Sequence, residues 1–148
     1  MGPVVFATCL SKVSEPAASV ARSVAAATGA ALHVLHAIPP TAGFTGDAAM
    51  VAREASRARQ ESELQGAVEA FCLRTNLGLN NTRRILSGEI AVEIAVYANT
   101  VNASLLIVGT TAPTGLSAVL LGSVADEIMR RATVPVLIVR HDVALPRG

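Results

Sequence analysis

Five short apolar runs, four of them followed by a segment with helical signals, constrain this chain more than any other feature of its sequence. The first is Val4-Val5-Phe6-Ala7-Thr8, a run of the kind that forms a strand buried on both faces. After it, Ser14-Glu15-Pro16 offers an N-cap and a proline in the first helical turn. Val20, Val24 and Ala27 then share a face, and Gly29 ends the helix. Ala31 to Ile38 is a second strand, stopped by Pro39-Pro40 and a loop through Gly43-Phe44-Thr45-Gly46. The longest helix runs from Asp47 to about Thr75, with Leu64, Val68 and Phe71 as its apolar stripe. Arg57/Glu61 and Arg59/Glu63 form i,i+4 pairs on its wet face.

Thr82 to Leu86 is a third strand whose Arg83-Arg84 pair suits a sheet edge or a strand end near solvent. Ser87-Gly88-Glu89 opens a helix with Ile90, Ile94, Tyr97 and Val101 on one face. Ser104 to Val108 is the most hydrophobic strand and the candidate for the sheet centre. A last helix is expected from about Ser123, with Ser123 and Asp126 at capping-box spacing and Arg130-Arg131 at its negative end. Val134 to Val139 forms the final strand, and the tail Val143 to Gly148 is expected to fray.

Strands alternating with helices in this way give an α/β, doubly wound, five-stranded parallel sheet with helices on both faces. The 148 residues fit one domain over 1–148, and 51% hydrophobic against 16% charged residues excludes a disordered chain. No stretch reaches the roughly 18 apolar residues of a membrane span. No basic residue precedes Lys12, so a secretory leader is not expected and a cytoplasmic protein is. A net charge of +1 and 3% aromatic residues argue against nucleic-acid binding. Cys9 and Cys72, lacking any Cys-x-x-Cys, fit reduced thiols, and Cys9 is expected to be a small buried apolar group.

Doubly wound sheets bind ligands outside the carboxyl ends of their strands. That confines the search to residues 8–11, 37–46, 87–88 and 109–124. Within the last of these, Gly109 follows a buried strand and allows close approach to its backbone. Gly122-Ser123 opens a helix, where free N–H groups, a hydroxyl and the dipole suit a phosphate. The segment is not a P-loop, and no Gly-x-Gly-x-x-Gly occurs. The bland alternative is an ordinary turn and cap.

The spacing of Gly109, Ala112 and Gly122-Ser123, the following Val134-Pro135-Val136-Leu137-Ile138-Val139, and Gly88 before the third helix resemble the universal stress protein family. The resemblance covers essentially the whole chain. It implies a Rossmann-like sheet of strand order 3-2-1-4-5 and a homodimer paired through the final strand, Val134 to Arg140. It implies one subgroup that binds ATP and another that does not. In the former, Ala7, Thr8 and Ala37 would line the base side, and Gly109, Gly122, Ser123 and Val124 the phosphate side, with Val108 also among the binding residues. The ligand would be ATP with magnesium, or AMP. Two positions depart from that subgroup: Ala112 replaces a second glycine, and Cys9 replaces an aspartate at the end of the first strand. A thiol is a poor substitute for a carboxylate acceptor.

Other functions fit less well. A response-regulator receiver needs an acidic pair after the first strand, yet Glu15 is the only acid between Met1 and Gly46. A flavin carrier needs a hydroxyl-rich loop after the first strand and flanking aromatic residues, where this chain has only Thr8 and Ser11 and 3% aromatic residues. His33 and His36 point to opposite faces of their strand and cannot share a metal. Arg83-Arg84 and Arg130-Arg131 read as solvated ends, and Phe44 as a loop anchor with adenine cover as its other role. The strand ends offer hydroxyls, a thiol and backbone amides but no carboxylate, so no defined catalytic reaction is expected beyond incidental slow ATP hydrolysis. Two readings remain open: a nucleotide-responsive stress protein, and a ligand-free dimeric interaction module.

Overall fold

The computed structural model describes residues 1–40, 47–111 and 122–143, with the side chains of residues 47–49 excepted. The elements follow the chain as β1 (Val4–Ala7), a 3-10 turn (Lys12–Ser14), α1 (Glu15–Thr28), β2 (Leu32–Ile38), α2 (Asp47–Arg74), β3 (Thr82–Ser87), α3 (Ile90–Thr100), β4 (Leu105–Thr110), α4 (Ser123–Arg131) and β5 (Val136–Arg140). All neighbouring strands run parallel, in the order β3-β2-β1-β4-β5. This is the sheet that the alternation of apolar runs and helices demands.

Alternating side chains divide the core in two. Val4, Phe6, Val34 and Ile107 face α1 and α2, meeting Ala17, Ala18, Ala21, Val68, Phe71 and Cys72. On the other face, Val5, Ala7, Leu35, Ala37, Leu106 and Val108 meet Ala91, Ile94, Ala98 and Ile128 of α3 and α4. Alanines on α1 let that helix lie close to the sheet, and Gly29 ends it in the left-handed conformation at φ 69°.

Four details differ from the sequence expectation. β1, not β4, is the middle strand, since all four β1 residues are buried and β4 shares that environment one place over. Ser14 does not cap α1: the 3-10 turn runs straight into the helix, and Ser11 caps the turn by accepting from Val13 N. Gly122, not Ser123, is the N-cap of α4. Asp126 N donates to Gly122 O, while the Asp126 carboxylate is held by Arg130 one turn on. The i,i+4 ion pairs among the described residues lie in α4, as Asp126–Arg130 and Glu127–Arg131. Arg57, Arg59, Glu61 and Glu63 form none, because the first half of α2 stands in solvent where such pairs bring little.

Candidate functional site

The strands end together on one side of the sheet, and the segments leaving them enclose a cavity of about 360 Å³. Its floor is the ends of β1, β2 and β4, with Ala7, Ala37 and Val108. One wall is the β1 exit and the turn after it (Thr8, Cys9, Val13, Ser14), and the other is α3 and the start of α4. Nine of the ten residues singled out by sequence line it: Ala7, Thr8, Cys9, Ala37, Val108, Gly109, Gly122, Ser123 and Val124. Ala112 lies outside the described residues, as do Phe44 and the segment 144–148.

Sequence reasoning missed Val13, Ser14, His36, Ile90, Ile94, Thr110, Thr111 and Ala125. Ile90 and Ile94 occupy the apolar stripe of α3, so burial alone accounted for them. Thr110 and Thr111 directly follow Gly109, and their position past a strand end was the available signal. His36 sits on the α1/α2 side of β2, and its Nδ1 is 2.9 Å from Thr8 O, tying the ends of β2 and β1 together. His33 faces the opposite side, 2.9 Å from Tyr97 Oη. Burial, and then the Arg84 charge, hold the His33 pKa below its ordinary value.

The polar groups of the cavity are arranged with care. Among the described residues the buried polar side chains are Thr8, Ser14 and Thr110, and all three line this cavity. Thr8 Oγ1 is 2.7 Å from Ser14 Oγ and accepts from Leu10 N. Ser14 Oγ in turn donates to Ser11 O. Thr110 Oγ1 accepts from Gly122 N across 3.4 Å, which pins the start of α4 to the end of β4. Gly109 admits the chain's own backbone: a Cβ there would touch Ser14 Cα and Val13 O at 3.4 Å.

Cys9 is exposed rather than buried. It follows the last core residues of β1 and leaves the sheet, so its side chain has no apolar layer to enter. Its Sγ lies 3.0 Å from Ser11 Oγ and 3.8 Å from Ser14 Oγ. Partial burial raises its pKa, yet the hydrogen bonds from Ser11, Ser14 and nearby backbone outweigh that and leave the thiol below its ordinary value. No Asp, Glu, Lys or Arg lines the cavity among the described residues, so its anion-attracting element is the N-terminus of α4.

This architecture can be placed among known proteins. The model of the universal stress protein family matches residues 1–140. The chain belongs to the universal stress protein family. A family member of Methanocaldococcus jannaschii, universal stress protein MJ0531, is 41% identical over 63 residues. That match spans 43% of this chain and only 37% of the relative's length. A crystal structure of a universal stress protein in complex with cAMP is 26% identical with TM-score 0.67, over 95% of this chain and 98% of that one. The universal stress protein of Archaeoglobus fulgidus in complex with dAMP shares the fold at 22% identity and TM-score 0.63, covering 93% and 97% of the two chains.

Proposed function

We propose that this universal stress protein is a cytoplasmic stress-response protein, one domain over residues 1–148, that binds an adenine nucleotide at the carboxyl ends of its strands. The observation that carries this reading is the coincidence of all the buried polar side chains among the described residues with one cavity at that edge. Burying a hydroxyl costs free energy unless it is paired, so three of them in one place indicate a built site. The apolar slot of Ala37, Ile90, Ile94 and Val108 suits a base. Backbone N–H groups at Ser123 and Val124, with the Ser123 hydroxyl, suit a phosphate. The relative bound to cAMP supports the same ligand class here.

Between ATP with magnesium and AMP, the lining favours AMP. A triphosphate brings more negative charge than one helix end offsets, and no carboxylate among the described lining residues is placed to hold magnesium. No defined catalytic reaction is proposed beyond incidental slow ATP hydrolysis, since the described lining offers no carboxylate base.

The protein is proposed to act as a homodimer through Val134–Arg140. β5 is an edge strand whose run Val136 to Val139 carries no charge and leaves Leu137 exposed, whereas the other edge, β3, is guarded by Arg83 and Arg84. A bare apolar edge of this kind calls for a partner strand. If β5 paired with nothing, the ligand-free interaction module would lose its interface as well.

The test is the nucleotide content of freshly purified protein, by chromatography after denaturation, followed by calorimetric titration with AMP and with Mg-ATP. Bound adenine nucleotide, or a binding isotherm with AMP tighter than Mg-ATP, is expected. Ser123→Asp, which places a negative charge where the phosphate sits while favouring the helix start, should weaken AMP at least tenfold without loss of fold. No nucleotide and no heat at millimolar AMP would overturn the reading.

A further inference from the structure

We propose that the free edge of β3 is a docking site for an acidic extended segment of another protein, which adds to the five-stranded sheet as one more strand beside Arg83 and Arg84. This edge and the cavity at the strand ends share no lining residue, so the proposal stands apart from the nucleotide reading.

β3 is the last strand on its side of the sheet, so one row of its backbone groups faces away from β2. Gly88 N donates to Ile38 O, and backbone groups alternate along a strand, so Arg83, Ile85 and Ser87 are the residues that face outward. The Arg84 side chain folds over this row, its Nη1 donating to Arg83 O at 3.0 Å. A partner strand about 4.8 Å away supplies a backbone N–H to that carbonyl and releases the guanidinium.

Beside this edge, between β3 and the second half of α2, lies a cleft of about 450 Å³ with Gln65 and Glu69 on its wall and buried Val68 beneath. Arg83 stands on this side, since its register partner Val34 packs toward α1 and α2. Its guanidinium is fixed through Nη1, which donates to Leu79 O at 2.8 Å and to Asn81 Oδ1 at 3.0 Å. Nη2 is left 3.9 Å from Glu69 Oε1, beyond hydrogen-bond distance. Glu69 is half-exposed and so loose a pair contributes little, so an incoming carboxylate can take that nitrogen. Arg84, in register with Leu35, stands on the other face, where burial and then its charge hold the His33 pKa down. A segment laid along β3 therefore meets one cation on each face, and the strand itself carries no acid. A second copy of this chain would bring two more arginines to the same edge, and like charges across a strand pair are unfavourable. An acidic segment gains main-chain hydrogen bonds from the edge and specificity from the two arginines.

The experiment follows amide exchange and chemical shifts of the full, isotopically labelled chain during titration with a blocked heptapeptide of valine and threonine with two adjacent glutamates at its centre. Adjacent residues of a strand point to opposite faces, so the two acids reach both arginines. Saturation below about 1 mM is expected, with new exchange protection at the outward amides of Arg83, Ile85 and Ser87. The same peptide with lysines in place of the glutamates should bind at least about tenfold more weakly. Ser87→Pro removes one outward N–H at an exposed edge position; it should weaken the acidic peptide at least about fivefold and keep the circular dichroism of the parent. Arg84→Glu, also at an exposed position, should turn the preference toward the lysine peptide. Shifts at Arg83 and Arg84 without protection of the three outward amides would mean ion pairing alone and overturn the added strand. Equal binding of the two peptides, or none at millimolar concentration, would overturn the acidic partner. Protection of the outward amides that grows with protein concentration in the absence of peptide would assign the edge to a second copy and overturn it as well. Each of these outcomes leaves the nucleotide reading standing.

Discussion

Cys9 and Cys72 show how strongly position in this sheet sets side-chain chemistry. Cys72 is wholly buried between α2 and the sheet, and burial raises its pKa above the ordinary thiol value. Cys9 is exposed at the β1 exit, where hydrogen bonds outweigh desolvation and lower it. The thiolate is the reactive form, and a lowered pKa shifts its appearance to lower pH. Iodoacetamide should therefore modify Cys9 and leave Cys72 untouched in the folded protein. The rate at Cys9 should rise with pH to a midpoint below that of a free thiol. Peptide mass spectrometry across a pH series checks this, and faster modification of Cys72 or a raised midpoint for Cys9 would contradict it. Residue-scale detail was the least legible part of the sequence. Ser14 and Ser123 have the look of helix caps, but a hydroxyl goes to whichever partner the fold brings near, and Thr8 is six residues away from Ser14 along the chain. Cys9 was expected inside because cysteines are commonly buried. The strand ends two residues too early for that.

At the scale of elements, α2 is divided. Its second half packs Val68, Phe71 and Cys72 into the core, with the Phe71 ring stacked on Phe6 at a centroid distance of 6.2 Å and the Arg74 guanidinium 5.2 Å above it. In the first half, Met50 and Val51 are 55% and 71% exposed. Phe71→Ala should then cost about 3–5 kcal/mol in chemical denaturation, while Val51→Ala should stay within about 0.5 kcal/mol. Equal effects would mean that the two halves are packed alike. Elements were the legible scale of the sequence. The apolar runs, Gly29 and the Val68/Phe71 stripe placed strand and helix to within a few residues, because period and punctuation are local properties. The wet face of α2 was read correctly as solvated, yet the Arg57/Glu61 and Arg59/Glu63 pairs do not form, since exposed charges gain little from meeting.

For the whole molecule, strand order brings residues 7–9, 37, 108–111 and 122–125 around one cavity, the candidate site. Nine of the residues that line this cavity were legible in the sequence because strand ends and a helix start can be located one at a time. Residues such as Val13 and Ile94 were not, because they reach the cavity only through the way the 3-10 turn before α1, and α3, pack against the sheet. The same order leaves β5 at an edge with Leu137 partly exposed. Leu137→Lys should convert the proposed dimer to monomer, or to insoluble protein, on sedimentation analysis. An unchanged dimer would exclude that interface. The central claim, an adenine mononucleotide with its phosphate on α4 and its base toward β2, is tested most directly by titrating AMP into isotopically labelled protein and following backbone amide shifts. The account predicts saturable shifts at Gly122, Ser123 and Val124 together with Thr8, Cys9 and Ala37, and little change on α2. Shifts confined to another surface, or none at millimolar AMP, would contradict it.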